Sequence, residues 1–138
     1  MAQFEPYLSF NGNCAEAMRF YEKTLGGKIQ MMMKAGDSPM PPENPASRDR
    51  ILHASLELDG KHLLASDWMA PHAYEGMKGF QMSLQYDSVD EAKRVFDALS
   101  DGGRVNLAMQ KTFWAESFGM LVDRYGLGWM VSGPAVKA

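Results

Sequence analysis

Cysteine is almost missing from this chain: Cys14 is the sole one. No intrachain disulfide can form, and a thiolate zinc cluster is excluded, as suits a reducing cytoplasm. An excess of one charge is missing too. Fourteen Lys and Arg stand against 17 Asp and Glu, a formal net charge of -3, which gives no electrostatic case for nucleic acid or an acidic membrane surface. No apolar run approaches the ~18 residues of a membrane span. The opening Met1-Ala2-Gln3-Phe4-Glu5 has neither the basic start nor the apolar core of a signal peptide. Hydrophobic residues do make up 46% of the 138 positions, enough for a core, and the expectation is one cytoplasmic domain over residues 1–138.

That domain repeats itself. Ala15-Glu16-Ala17-Met18-Arg19-Phe20-Tyr21 runs on to Gly26-Gly27-Lys28-Ile29, and Asp90-Glu91-Ala92-Lys93-Arg94-Val95-Phe96 runs on to Gly102-Gly103-Arg104-Val105. Glu16 and Glu91, Arg19 and Arg94, Tyr21 and Phe96 each stand 75 positions apart, so architecture is fixed by duplication before any local pattern is read. Half-domains of about 70 residues are marginal alone, so the copies are expected to share a core or to interlock with a second chain.

In the first copy, Pro6–Phe10 reads as a strand and Asn13 as the N-cap of a helix over Ala15–Leu25. Its buried face is Ala17, Met18, Tyr21 and Leu25. Gly26-Gly27 stops it, and Lys28–Ala35 is a strand. Gly36–Arg50 carries Pro39, Pro41, Pro42 and Pro45 and is expected to be neither helix nor central strand. A disordered segment and a lid both fit a loop of that length. In Ile51–Leu58, Leu52, Ala54, Leu56 and Leu58 alternate with His53, Ser55 and Glu57; Asp59-Gly60 is a hairpin turn returning into Lys61–Ser66.

After a connector over Asp67–Lys78, Phe80–Tyr86 opens the second copy. A helix over Val89–Leu99 buries Val89, Ala92, Val95, Phe96 and Leu99, and strands follow near Val105–Gln110, Phe118–Val122 and Trp129–Ser132. The order is βαβββ twice, with modules at about 4–68 and 79–133. This predicts an α+β fold with helices on one sheet face and a partly polar opposite face.

Tyr7-Leu8-Ser9-Phe10-Asn11-Gly12-Asn13-Cys14-Ala15-Glu16-Ala17, with Phe20-Tyr21 and Leu25-Gly26-Gly27, resembles the opening of the PhnB-like branch of the glyoxalase/bleomycin-resistance/dioxygenase superfamily. Thr112-Phe113-Trp114-Ala115, Phe118-Gly119, Asp123-Arg124-Tyr125-Gly126 and Trp129-Met130 resemble its closing signature. The resemblance implies two βαβββ modules forming curved mixed sheets around a cleft, often completed in a homodimer. Many members of the branch bear a 3-demethylubiquinone methyltransferase label. Methyl transfer is not expected here, because no strand is followed by a Gly-rich turn that opens a helix.

Metal-dependent relatives place His or Glu on equivalent cleft-facing strands. Carried over, those positions fall on Gln81, on Met130, and on Pro6, with Glu5 or Tyr7 if the count slips by one. Met and Pro are no substitute for hard N and O ligands, so no metal and no cofactor are expected. The expected partner is a small organic molecule in a cleft lined by Tyr7, Ser55, Gln81, Ser83, Trp114 and Met130. A metal-dependent lyase, isomerase or dioxygenase is the alternative, as is a metal-free proton-transfer enzyme using a His53–Glu57 pair. His53, Glu57 and His62 can equally be plain strand residues. His72 sits in a loop with no evident role. Cys14 at the helix start is read as a small buried residue. Asp67 and Ser66 either line the cleft or close a strand. Trp114 and Phe113, between strands, call for a ligand, a lid or a second subunit. The twelve methionines suit adaptable apolar walls.

Overall fold

The computed structural model describes residues 2–69 and 71–137 and divides into two compact units, Met1–Gly76 and Met77–Ala138. The first holds β1 (Tyr7–Phe10), α1 (Cys14–Leu25), β2 (Lys28–Lys34), a 3-10 turn (Ala35–Asp37), α2 (Pro45–Arg48), β3 (Ile51–Leu58) and β4 (Lys61–Asp67). The second holds β5 (Met82–Gln85), α3 (Val89–Ser100), β6 (Arg104–Gln110), β7 (Phe118–Val122) and β8 (Gly128–Ser132). Each unit is one four-stranded mixed sheet, ordered β1-β4-β3-β2 and β5-β8-β7-β6. The first and last strands of each run parallel, and the remaining neighbours run antiparallel. The doubled βαβββ order is thus the observed architecture.

In the first unit α1 buries Cys14, Ala17, Met18, Tyr21 and Thr24, a 3–4 spacing of one helical stripe, on a sheet face made of Leu8, Phe10, Ala54, Leu56 and Ala65. Thr24 takes the last buried place, and Leu25 is only half-buried. In the second unit α3 buries Ala92, Val95, Phe96 and Leu99 over Leu121, Trp129 and Val131. Val89 is 43% exposed rather than buried.

The paired glycines that end both helices divide two tasks. Gly26 and Gly102 take φ of 80° and 78°, the left-handed conformation that a side chain disfavours. Gly27 and Gly103 instead lie against the facing hairpin: a Cβ on Gly27 would stand 2.6 Å from the Glu57 carbonyl oxygen, and one on Gly103 would fall on the Val122 carbonyl.

Asn13 occupies the N-cap position of α1, but its side chain makes no capping bond. Its Oδ1 is buried without a partner among the described residues. The cap comes from β4 instead. Asp67, 3% exposed, accepts from Gly12 N at 2.8 Å and Cys14 N at 3.0 Å through Oδ1, and from Ile51 N at 2.8 Å through Oδ2. One carboxylate therefore ties the helix start to β3 and β4. Asp123 does similar work in the second unit, accepting from Tyr125 N, Leu127 N and Trp129 Nε1.

Three local expectations are corrected. The proline-rich loop does hold a helical turn, because Pro45 sits at N1, where no N–H is needed, and Asn44 caps Ala46 N at 3.0 Å. Leu52 is 40% exposed while Ile51 is buried: the register slips where β2 passes from Met33 to Lys34, and such an irregularity breaks the alternation. β5 is Met82–Gln85 rather than Phe80–Tyr86, since its partner β8 begins only at Gly128.

Candidate functional site

The register assigns side chains to faces without ambiguity. In the first unit Leu8, Ala65, Ala54 and Met32 are successive partners across the sheet, and the first three are buried beneath α1. The adjacent row, Tyr7, Leu64, Ser55 and Met31, therefore points to the other face, which no helix of this unit covers. His53 and its partner Met33 lie on that face too. It is half open: Tyr7 is 50% exposed and Met31 39%, with His53, Ser55 and Leu64 intermediate.

On it, Tyr7 Oη and His53 Nδ1 stand 3.2 Å apart, and the two rings lie 5.8 Å apart at 34°. A hydrogen bond spanning 46 positions of sequence thus joins the edge strand to β3. Glu57, the partner that sequence reasoning gave His53, is engaged elsewhere: its Oε1 accepts from Gly60 N at 3.0 Å and braces the Asp59-Gly60 turn, where φ of 50° and 81° suits a type I′ hairpin. His62 faces Glu5, with Nδ1 and Oε2 3.0 Å apart. The His–Glu pair considered as an alternative on β3 is not formed, and His53 pairs with Tyr7 instead. No local signal in the sequence pointed to it.

The second unit repeats the layout. Leu84, Val131 and Gly119 form the row under α3, with Phe96 so close to Gly119 that a Cβ there would lie 2.6 Å from its ring. The next row, Ser83, Met130, Met120 and Leu107, takes the opposite face. Ser83 and Met130 are thus direct neighbours. Gln81 precedes β5, exposed, beside Gly128. Trp114 lies in the β6–β7 connection, 47% exposed, edge-on to Phe113 and Phe118 at 4.8 and 5.2 Å. It rims a hollow of about 150 Å³ with Gln85, Asp87 and Ser132. Phe118 and Trp129 belong to the core.

Three other candidates are structural. Cys14 is fully buried, and burial, then the Asp67 carboxylate, pushes its thiol up to about 12; the helix start does not activate it. The same two causes raise Tyr74, whose hydroxyl donates to the Ser9 carbonyl at 2.7 Å. His72 accepts Trp68 Nε1–H on its carbonyl at 2.8 Å. Asp67 is a fastener rather than a cleft residue.

The superfamily's metal would need hard N and O ligands converging on one place. The positions that would supply its ligands hold a thioether (Met130), an amide (Gln81), and a choice of Pro6, Tyr7 tied to His53 or Glu5 tied to His62. Among the described residues no group of three or more His, Cys, Asp or Glu could hold a metal ion. At the helix starts, Asp67 takes the amides of Gly12 and Cys14, and Ser88 Oγ caps Glu91 N. Among the described residues no helix is long and apolar enough to cross a membrane.

Comparison with known proteins agrees with the fold. A 3-demethylubiquinone-9 3-methyltransferase family model matches residues 2–132. Protein YjdN of Escherichia coli is 35% identical over 136 residues, covering 92% of each chain. The crystal structure of PA1353 from Pseudomonas aeruginosa matches with a TM-score of 0.90 and 47% identity, over 96% of this chain and 98% of that one. The PhnB protein of Bacillus cereus matches with 0.83 and 21% identity, over 96% and 100%. A glyoxylase/bleomycin resistance protein/dioxygenase domain from Frankia sp. EAN1pec shares the fold at 0.66 and 13% identity, over 97% and 98%. The chain belongs to the 3-demethylubiquinone-9 3-methyltransferase family.

Proposed function

We propose that this protein binds a small organic molecule on the helix-free face of its first sheet, without the superfamily's metal and without methyl transfer. The observation that carries the reading is the composition of that face. Thioether and aliphatic side chains (Met31, Met33, Leu64) surround a small hydrogen-bonding set (Tyr7, His53, Ser55). Sites for small molecules are mostly apolar with a few placed polar groups, and unbranched Met adapts to irregular shapes. The face of the second unit, with Ser83, Met130 and Met120, has the same make and belongs to the reading as a surface in its own right. Exposed Phe113 and Trp114 support a second copy of this chain as partner, since aromatic side chains are enriched where subunits meet.

A fragment screen by protein-observed NMR, on protein freed of metal with a chelator, tests the reading. Neutral aromatic and carbonyl-bearing fragments are expected to shift the amides of Tyr7, His53, Ser55 and Met31. Shifts that arise only after nickel, zinc or iron is added would overturn it in favour of a metal-dependent enzyme.

A further inference from the structure

The Tyr7–His53 pair has a property that binding alone does not need. A phenol and an imidazole sharing one hydrogen bond can hold it in two ways. Either Tyr7 O–H donates to Nδ1 and Nε2 carries the one N–H of the ring, or Nδ1–H donates to the phenol oxygen and Nε2 is bare. In the first form the free ends are an Nε2–H donor and a phenol lone pair. In the second they are a phenol O–H donor and an Nε2 lone pair. In both, the pair offers one acceptor and one donor at once, at opposite ends of a 3.2 Å link, on a face that α1 leaves open. Nε2 has no partner among the described residues. Glu57, four residues along the same strand and so roughly 13 Å away, is held by Gly60 N.

We infer that Tyr7 and His53 form a metal-free proton relay that enolises a carbonyl compound. The inference rests on the binding reading above, because the substrate occupies the same face. The step balances as follows. Nε2 takes the proton from the carbon beside the carbonyl, and that C–H electron pair becomes the C=C bond. The carbonyl π pair moves onto oxygen, which takes the Tyr7 O–H proton. The Nδ1–H proton passes to the phenol oxygen. The ketone leaves as its enol, the pair ends in its other tautomer, and ketonisation runs the same path backwards. No oxidant, reductant or metal enters. Donor and acceptor act together, so neither a free phenolate nor an imidazolium has to form, and positioned acid–base transfer of this kind contributes roughly 10²–10⁴-fold. The substrate class is an enolisable ketone or 2-oxo acid whose apolar body lies on Met31, Met33 and Leu64.

The test is deuterium exchange at the acidic carbon of phenylpyruvate and of pentane-2,4-dione, followed by NMR in D₂O with chelator-treated protein. Exchange at least tenfold above that given by equimolar free imidazole and phenol is expected. Tyr7→Phe, which keeps the ring and loses the hydroxyl, is expected to lose at least tenfold of it, and His53→Gln to return it to background. Glu57→Gln is expected to stay within twofold of wild type. Wild-type exchange of both probes at background overturns the relay. So does a Tyr7→Phe rate equal to wild type, or a collapse in Glu57→Gln alone. Probe-induced shifts at Tyr7 and His53 without exchange defeat the relay and leave the binding reading standing. If neither shifts nor exchange occur, the relay fails, and the binding reading is decided by the fragment screen.

Discussion

Asp67 shows what a single residue can carry. Its two oxygens take three backbone N–H groups from the α1 start and from β3. Asp67→Ala leaves three donors near or within the core unpaired, and each such donor costs about 1–3 kcal/mol. Chemical denaturation should therefore show a loss of at least ~3 kcal/mol, with Asp67→Asn in between. Cys14 gives a prediction with a definite sign. In the unfolded chain its thiol ionises near 9.0, whereas folded it is pushed up to about 12. Below pH 9 both states hold the proton, and this contribution to stability is intact. As pH rises from about 9 toward 12 the unfolded chain sheds a proton that the folded chain keeps, so stability falls by up to ~1.4 kcal/mol per pH unit. Stability measured at pH 8 and pH 10 should drop by about 1 kcal/mol more in wild type than in Cys14→Ala. A thiol that alkylates as fast in the native protein as in urea would contradict the burial on which this rests.

At the scale of elements, the second glycine of each pair and the residue at the β2–β3 irregularity make opposite predictions. Gly103→Ala sets a Cβ on the Val122 carbonyl, backbone that cannot yield cheaply, and should cost about 1–3 kcal/mol. Leu52→Ser, on an apolar residue that period-2 reasoning places inside, should cost no more than about 1 kcal/mol because the residue is already 40% exposed. Urea midpoints of the two variants check both. These cases mark how far the sequence speaks. The 75-residue duplication, the helix stripes, the glycine stops and the Asp59-Gly60 turn are local patterns, and they placed every strand and both long helices within about two residues. Leu52 and the ends of β5 depend on where a partner strand slips, starts or stops, and that information lies in other elements. The candidate site divides the same way. Faces follow from alternation, so His53 and Ser55 share one face of β3 as expected, whereas Tyr7 and Met130 came from the resemblance. The link from Tyr7 to His53, the engagement of Glu57 by its own hairpin, and the role of Asp67 depend on side chains brought together over long separations.

At the scale of the whole molecule, the family places the chain among proteins bearing a methyltransferase description, and the fold places it beside a glyoxylase/bleomycin resistance/dioxygenase domain. Neither decides the chemistry, because one fold hosts many activities. The proposed absence of a hard metal ion rests on the carried-over ligand positions, which hold a thioether, an amide and side chains already hydrogen-bonded. Titrating nickel, zinc or iron(II) into the protein should accordingly give no saturable rise in melting temperature, since only a ligand that prefers the folded state raises it. A bound organic molecule should give one. The most direct measurement is a crystal structure of chelator-treated protein soaked with the strongest-binding fragment. The fragment is expected against Tyr7, His53, Ser55 and Met31, with a polar atom in hydrogen-bond reach of Tyr7 Oη or His53 Nε2. A fragment held through a metal ion, or seated away from that face with Tyr7 and His53 untouched, would contradict it.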